Sequence, residues 1–312
     1  MVSFNIVLVN VLSLILLSIP GFILIKTKIM KDASGSLTYI LLYVCQPLLT
    51  FVSFQRINYS SDTSLNLGIA ALFSFLGLGL GILLNFVIFS KWKSEKAKVY
   101  RYGAIFSNCA FMGIPLIQSV FGNDNPEIIV YATVFITFFN FFSWTAGIYA
   151  ISGDKKYISF KKAIINPPTI AFFISLPLFF LNIHIADFSL FGEKVFTSLT
   201  MIANMITPLS MIIIGMKIAQ MSFKEMFLSK GAYFASFVKL ILYPLFMLLI
   251  LLPFNIDEVL KISLVFSMAM PSAMTTVIFS QTFGGDVKEA SSLVMLSTLL
   301  CLVTIPLMFL LI

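Results

Sequence analysis

Charged and metal-binding side chains are scarce in this chain of 312 residues. Only 11% of its residues are charged, whereas about a quarter are charged in a soluble domain. There is one histidine, and the three cysteines have a spacing that fits neither a metal site nor a disulfide framework. No phosphate-binding glycine loop or nucleophile–base pair is visible. These absences argue against a soluble domain, and we expect no enzymatic activity, no cofactor and no metal.

Long hydrophobic stretches make up most of the chain, and its mean hydropathy is +1.03. Each stretch is long enough to cross about 30 Å of hydrocarbon as a helix. All 13 acidic residues lie between the stretches, and one basic residue, Lys239, lies inside one. The sequence therefore predicts an all-α integral membrane protein, a single domain over residues 1–312 with ten transmembrane helices in the lipid bilayer. The stretches are 1–25, 33–55, 63–90, 102–123, 128–153, 163–186, 195–216, 231–256, 262–285 and 290–312.

Basic residues are distributed unevenly among the connections between these stretches. The odd-numbered connections hold 16 Lys and Arg residues, and the even-numbered ones hold 3. Basic residues mark the cytoplasmic side of a membrane protein. The bias therefore predicts a multi-pass protein of the plasma membrane with both termini extracellular. The net charge of +7 is explained by this topology, and we expect no nucleic acid partner.

Two weak sequence echoes relate the halves of the chain. A Pro-Leu pair at Pro47 recurs at Pro208, an offset of 161, and a Phe-Gly pair at Phe121 recurs at Phe283, an offset of 162. Each half contains five stretches. Because five is an odd number, the second half enters the membrane from the opposite side. That is the condition for an inverted repeat. We therefore predict a 5+5 inverted repeat, with its two units over residues 1–153 and 160–312.

The fourth and ninth stretches each carry a proline near the middle. A proline removes one backbone donor and clashes with the carbonyl four residues earlier. We therefore expect both helices to break near the bilayer centre, at Gly113–Pro115 and Pro271–Thr276, and to cross there. Broken helices at the midplane form the substrate sites of secondary transporters. The candidate site residues are Asn108, Gly113, Pro115, Pro271, Ser272, Thr275 and Thr276.

The predicted breaks favour an anion as the transported molecule. Half-helix N-termini expose unpaired N–H groups with a positive partial charge, where anions bind. No carboxylate lies inside a stretch to repel an anion. Lys239 either snorkels to the cytoplasmic interface or supports the site as a countercharge, and both interpretations remain open. Gln46 and Asn140 are further polar residues with a supporting role.

These motifs resemble the auxin efflux carrier family, which includes plant PIN-type auxin exporters and bacterial malonate or malate permeases. The segment from Asn108 to Pro115 is similar to the fourth helix of that family. Lys239 precedes Pro244 where the plant proteins carry an Arg. The resemblance extends over essentially the whole chain, and its other motifs are Pro47-Leu-Leu-Thr50-Phe51, Asn166-Pro-Pro-Thr169, Ala269-Met-Pro271 and the Phe-Gly pairs.

The resemblance implies crossing fourth and ninth helices, with Pro115 at the crossover and Thr276 where plant members carry a second proline. On this resemblance we expect helices 1, 2, 6 and 7 to form a scaffold that makes a homodimer. Helices 3–5 and 8–10 would form a transport unit that moves as an elevator. A small carboxylate, such as malate, malonate or an auxin-like molecule, would bind between them and contact Asn108, Thr50 and Asn166. The composition, rich in Lys, Ile and Phe, suits an AT-rich bacterium, so we expect the protein in a bacterial inner membrane.

Two other functions remain open. A sodium-coupled symporter of the bile-acid type shares the crossed-helix fold, but the scarcity of intramembrane acids counts against it. A non-transporting membrane receptor on the same fold is the other. The lack of a soluble signalling domain counts against a receptor.

The charge bias gives a testable topology. We expect a C-terminal fusion to a reporter that fluoresces only in the cytoplasm to stay dark, because the terminus follows an even number of spans from an extracellular start. The same reporter fused after Lys162, in a predicted cytoplasmic connection, should fluoresce and is the control. A bright C-terminal fusion would contradict both the topology and the 5+5 repeat.

Overall fold

The computed structural model describes residues 4–92, 94–121, 125–220 and 227–312. Within these ranges the regular structure is helical apart from one isolated bridge, as expected for an all-α membrane protein. Two of the basic residues counted above, Lys93 and Lys224, lie outside the described residues. Seven helices in the described ranges are long and apolar enough to cross a membrane. They are α1 (Phe4–Lys26), α2 (Ser34–Phe54), α3 (Ser61–Ile88), α6 (Glu127–Ser152), α8 (Leu190–Gln220), α9 (Lys230–Leu251) and α12 (Val287–Phe309).

The other three predicted stretches contain shorter helices. The fourth stretch overlaps two helices, α4 and α5, the sixth contains α7, and the ninth overlaps α10 and α11. Asn166 caps the start of α7, because its Oδ1 accepts a hydrogen bond from the N–H of Thr169. The bounds are α4 (Glu95–Gly103), α5 (Cys109–Phe121), α7 (Pro167–Phe180), α10 (Glu258–Ala269) and α11 (Thr275–Phe283).

Three prolines are accommodated by widened, π-helical turns instead of breaks. In α5, the N–H groups of Met112 and Gly113 both donate to the carbonyl of Asn108, at 3.1 Å each. Such a turn inserts an extra residue and disturbs the regular ladder where a proline cannot donate. The predicted break at Gly113–Pro115 is therefore wrong, because the helix continues through Pro115. The turns and their prolines are Leu41–Cys45 before Pro47, Cys109–Gly113 before Pro115, and Val238–Leu242 before Pro244.

The fourth stretch is interrupted earlier, between Gly103 and Cys109, and the ninth between Ala269 and Thr275. The two interruptions lie side by side and pair as an antiparallel bridge between Ser107 and Ser272. Each interruption thereby satisfies backbone groups of the other, as the interior of a membrane protein requires. The second break includes Pro271, as predicted, whereas Thr276 lies inside α11.

The hydrogen bonds of this pairing are short. The N–H of Asn108 donates to the carbonyl of Pro271 at 2.7 Å, and the N–H of Ala273 donates to the carbonyl of Phe106 at 2.9 Å. The Oγ of Ser272 donates to the carbonyl of Gly103, the last residue of α4, at 2.7 Å. The two interruptions are therefore held side by side by backbone pairing.

Two glycines allow α1 and α8 to pack at backbone contact distance. A Cβ at Gly21 would lie 2.1 Å from the carbonyl oxygen of Ile212, and one at Gly215 would lie 1.8 Å from that of Ser18. Small residues at helix interfaces allow such close approach within membranes. Side chains larger than hydrogen are excluded at these two positions.

We expect Gly215→Ala to lower the melting temperature of the purified protein in detergent. The added methyl group collides with backbone, and overpacking of this kind destabilises by about 1–3 kcal/mol. The control is Gly68→Ala in α3, where an added Cβ meets nothing within 4 Å. An unchanged melting temperature for Gly215→Ala would show that α1 and α8 are not packed as described.

Candidate functional site

A cavity of about 1240 Å³ lies beside the paired interruptions. Its walls come from α2, α6, α8 and α12, from the start of α7, and from both interruptions. The volume is sufficient for a small organic molecule. The cavity is thus located where sequence reasoning expects a site, at the crossing of the fourth and ninth stretches.

The first turns of α5 and α11 line this cavity. Cys109, Ala110 and Phe111 contribute from α5, and Met274 and Thr275 contribute at the start of α11. The first N–H groups of a helix lack partners within that helix, and they carry a positive partial charge. The N-terminal ends of α5 and α11, both with a positive partial charge, therefore face the same cavity.

Basic side chains add to this positive potential. Lys162, Lys217 and Lys288 line the cavity, and none of its described lining residues is acidic. Lys217 lies 3.6 Å from Asp32, and Lys162 lies 4.9 Å from the ring centroid of Trp144. The electrostatics of the cavity favour an anionic ligand.

Five of the predicted site residues line the cavity. Asn108 and Thr275 stand at the two breaks, and the amide of Asn140 donates to Asn166 Oδ1 at 3.4 Å. Asn166 is therefore both a helix cap and a lining residue. The buried Oε1 of Gln46 has no hydrogen-bond partner among the described residues.

Six other predicted residues are not among the described residues that line the cavity. Thr50 donates its hydroxyl to the carbonyl of Gln46, one turn earlier in α2, at 3.1 Å. Gly113 packs against Met270, since an added Cβ would lie 3.1 Å from its Cγ. These residues stay predicted ligand contacts that the described cavity lining does not include. They are Thr50, Gly113, Pro115, Pro271, Ser272 and Thr276.

Lys239 is fully buried and does not snorkel. Its Nζ donates to the carbonyl of Ile105 at 3.1 Å and to the carbonyl of Met268 at 3.0 Å. The snorkelling interpretation is wrong, because the ammonium group points to the broken helices and not to the membrane surface. It lies behind the crossing and is not among the described residues that line the cavity.

Aromatic lining residues were not identified from the sequence. Tyr39 and Tyr43 line the cavity, with ring centroids 5.9 Å apart. Tyr43 follows Tyr39 by four residues and Gln46 follows Tyr43 by three, so all three lie on one face of α2. Trp144 follows Asn140 by four residues in the same way. Helical spacing from the polar residues was the signal that could have found them.

A multi-helix membrane fold with interrupted helices around a basic cavity defines a membrane transport protein. The sequence profile of the family described as "Membrane transport protein" matches residues 6–309. The chain is also 26% identical over 303 residues to the uncharacterized transporter MJ1031 of Methanocaldococcus jannaschii, covering 95% of this chain and 96% of that protein. The chain belongs to this membrane transport protein family, the auxin efflux carrier-like family that its motifs resemble.

Proposed function

We propose that this protein is a secondary transporter that moves a small organic anion across the plasma membrane. The observation that carries the proposal is the cavity at which two half-helix N-termini meet, with basic and no acidic described lining residues. A carboxylate accepts charge-assisted hydrogen bonds from backbone N–H groups and from the Asn108 amide. Malate, malonate or an auxin-like carboxylate is the substrate class that fits this chemistry.

The proposed architecture is a 5+5 inverted repeat of ten helices that works as an elevator. The scaffold, helices 1, 2, 6 and 7 of the ten, corresponds to α1, α2, α7 and α8, and would form the homodimer. The transport unit corresponds to α3–α6 and α9–α12. The cavity supports this division, because Tyr39, Gln46 and Lys217 line it from the scaffold and Asn108 and Thr275 from the transport unit.

The proposed topology places the cavity in contact with the cytoplasm. Lys162, Lys217 and Lys288 belong to connections or helix ends assigned to the cytoplasmic side by the charge bias. Their position on the cavity wall supports an inward-facing state in a protein whose two termini are extracellular.

The sodium-coupled alternative is less favoured by the geometry. Oxygen atoms are the ligands of hard cations, and freed carbonyls at the broken helices would be the natural choice. The carbonyls of Ile105 and Met268 are already bound by Lys239. A receptor function would use the same cavity, and only a transport assay separates it from a carrier.

The test begins with purified protein and a thermal-shift screen against monocarboxylates and dicarboxylates. Stabilising compounds are then used in counterflow with proteoliposomes, with sodium present or replaced by potassium. We expect counterflow of a labelled carboxylate in both salts. Binding without counterflow would support a receptor, and counterflow only in sodium would support a symporter.

We expect Asn108→Ala to weaken transport roughly tenfold to a hundredfold while the protein stays folded. The amide lines the cavity at the first turn of α5, and a hydrogen bond to a charged group contributes about 1.5–3 kcal/mol. The matched control is Asn10→Ala, since Asn10 bonds within α1 to the carbonyl of Ile6. Unchanged uptake by folded Asn108→Ala protein would remove Asn108 from the site.

A further inference from the structure

Lys239 joins two helix ends that are distant in sequence. Its Nζ donates to the carbonyl of Ile105, just beyond α4, and to the carbonyl of Met268, in the last turn of α10. The residue itself belongs to the widened turn of α9, Val238–Leu242. One side chain therefore contacts both broken helices on the side of their C-terminal ends.

The chemistry of these ends matches a cation. The last carbonyls of a helix have no partner within the helix, and they carry a negative partial charge. In a hydrocarbon environment no water is available to satisfy them. Among the described residues no carboxylate forms an ion pair with Lys239. The two helix ends are therefore the counterpart of the ammonium group.

We infer that Lys239 is a positioning residue, a tethered cation that holds the C-terminal ends of α4 and α10 together and so fixes the N-terminal ends of α5 and α11 at the cavity. Its ammonium group takes the place that a bound inorganic cation would otherwise occupy between the same two carbonyls. This role of Lys239 depends on the proposed function only where transport is the measured quantity.

The central experiment is chemical rescue of Lys239→Ala. This substitution removes three methylene groups and the amine, which n-propylammonium can replace. The melting temperature of purified variant and wild type is measured in detergent with propylammonium, with tetramethylammonium, with sodium or with 1-propanol. Propylammonium has both charge and N–H donors, tetramethylammonium has charge alone, and propanol has similar size without charge.

We expect Lys239→Ala to melt several degrees below wild type, and propylammonium to recover most of that loss without stabilising wild type. A ligand that binds only the folded variant must stabilise it. Partial recovery by sodium would also support a cation site. An unchanged melting temperature, or equal recovery by propanol, would overturn the inference, because the side chain would then only fill space.

If Lys239→Ala does not fold, a second pair of variants tests whether Lys239 acts through its charge. We expect Lys239→Arg to keep most of the wild-type stability and uptake, and Lys239→Met, which has similar length without charge, to reduce uptake at least about tenfold. Equal behaviour of the Met variant and wild type would overturn the inference. Rescue of stability in a protein that transports no carboxylate would refute the proposed function and leave the tethered cation intact.

Discussion

The structure depends on one constraint, which is that backbone polar groups in hydrocarbon must find partners inside the protein. Interrupting two helices frees such groups at four helix ends. The bridge between Ser107 and Ser272 pairs the interruptions with each other, and Lys239 binds carbonyls beside the C-terminal ends. What is left for the cavity is the two N-terminal ends. The way in which the breaks are satisfied therefore contributes to the positive character of the cavity, together with the lysines on its wall.

The same bonds explain which parts of the molecule would move together in the proposed elevator. The hydroxyl of Tyr102 lies 2.7 Å from both Ser143 and Thr275, and so connects α4, α6 and α11. Polar contacts across the proposed boundary include Asn140 with Asn166 at 3.4 Å and Thr207 with Gln118 at 3.0 Å. The breaks and Lys239 all lie within the proposed transport unit and so can move together, whereas Tyr39, Gln46 and Lys217 line the cavity from the proposed scaffold.

The sequence was sufficient to predict a helical membrane protein and its family, whereas the site at the fourth and ninth stretches stays a prediction. It located the second break because Pro271 marks it. The first break contains no proline. Its freed backbone groups pair with those of the second break, and no local sequence pattern indicates that pairing. Pro115 misled the prediction, because a widened turn absorbs it. Lys239 was recognised as unusual, but its two carbonyl partners come from segments 134 and 29 residues away.

The geometry of the two helix ends and Lys239 also affects how tightly an anion would bind in the cavity. Moving a carboxylate out of water costs several kcal/mol. Each half-helix N-terminus returns up to about 2 kcal/mol in a partly buried site, and a charge-assisted hydrogen bond about 1.5–3 kcal/mol. These terms are similar in size to the desolvation cost. Because the positive charge of Lys239 is directed to the carbonyls behind the crossing, it does not add a direct ion pair to the ligand. A carrier must release its substrate in every cycle, and a site without a direct ion pair to the buried Lys239 meets that requirement better than one with such a pair.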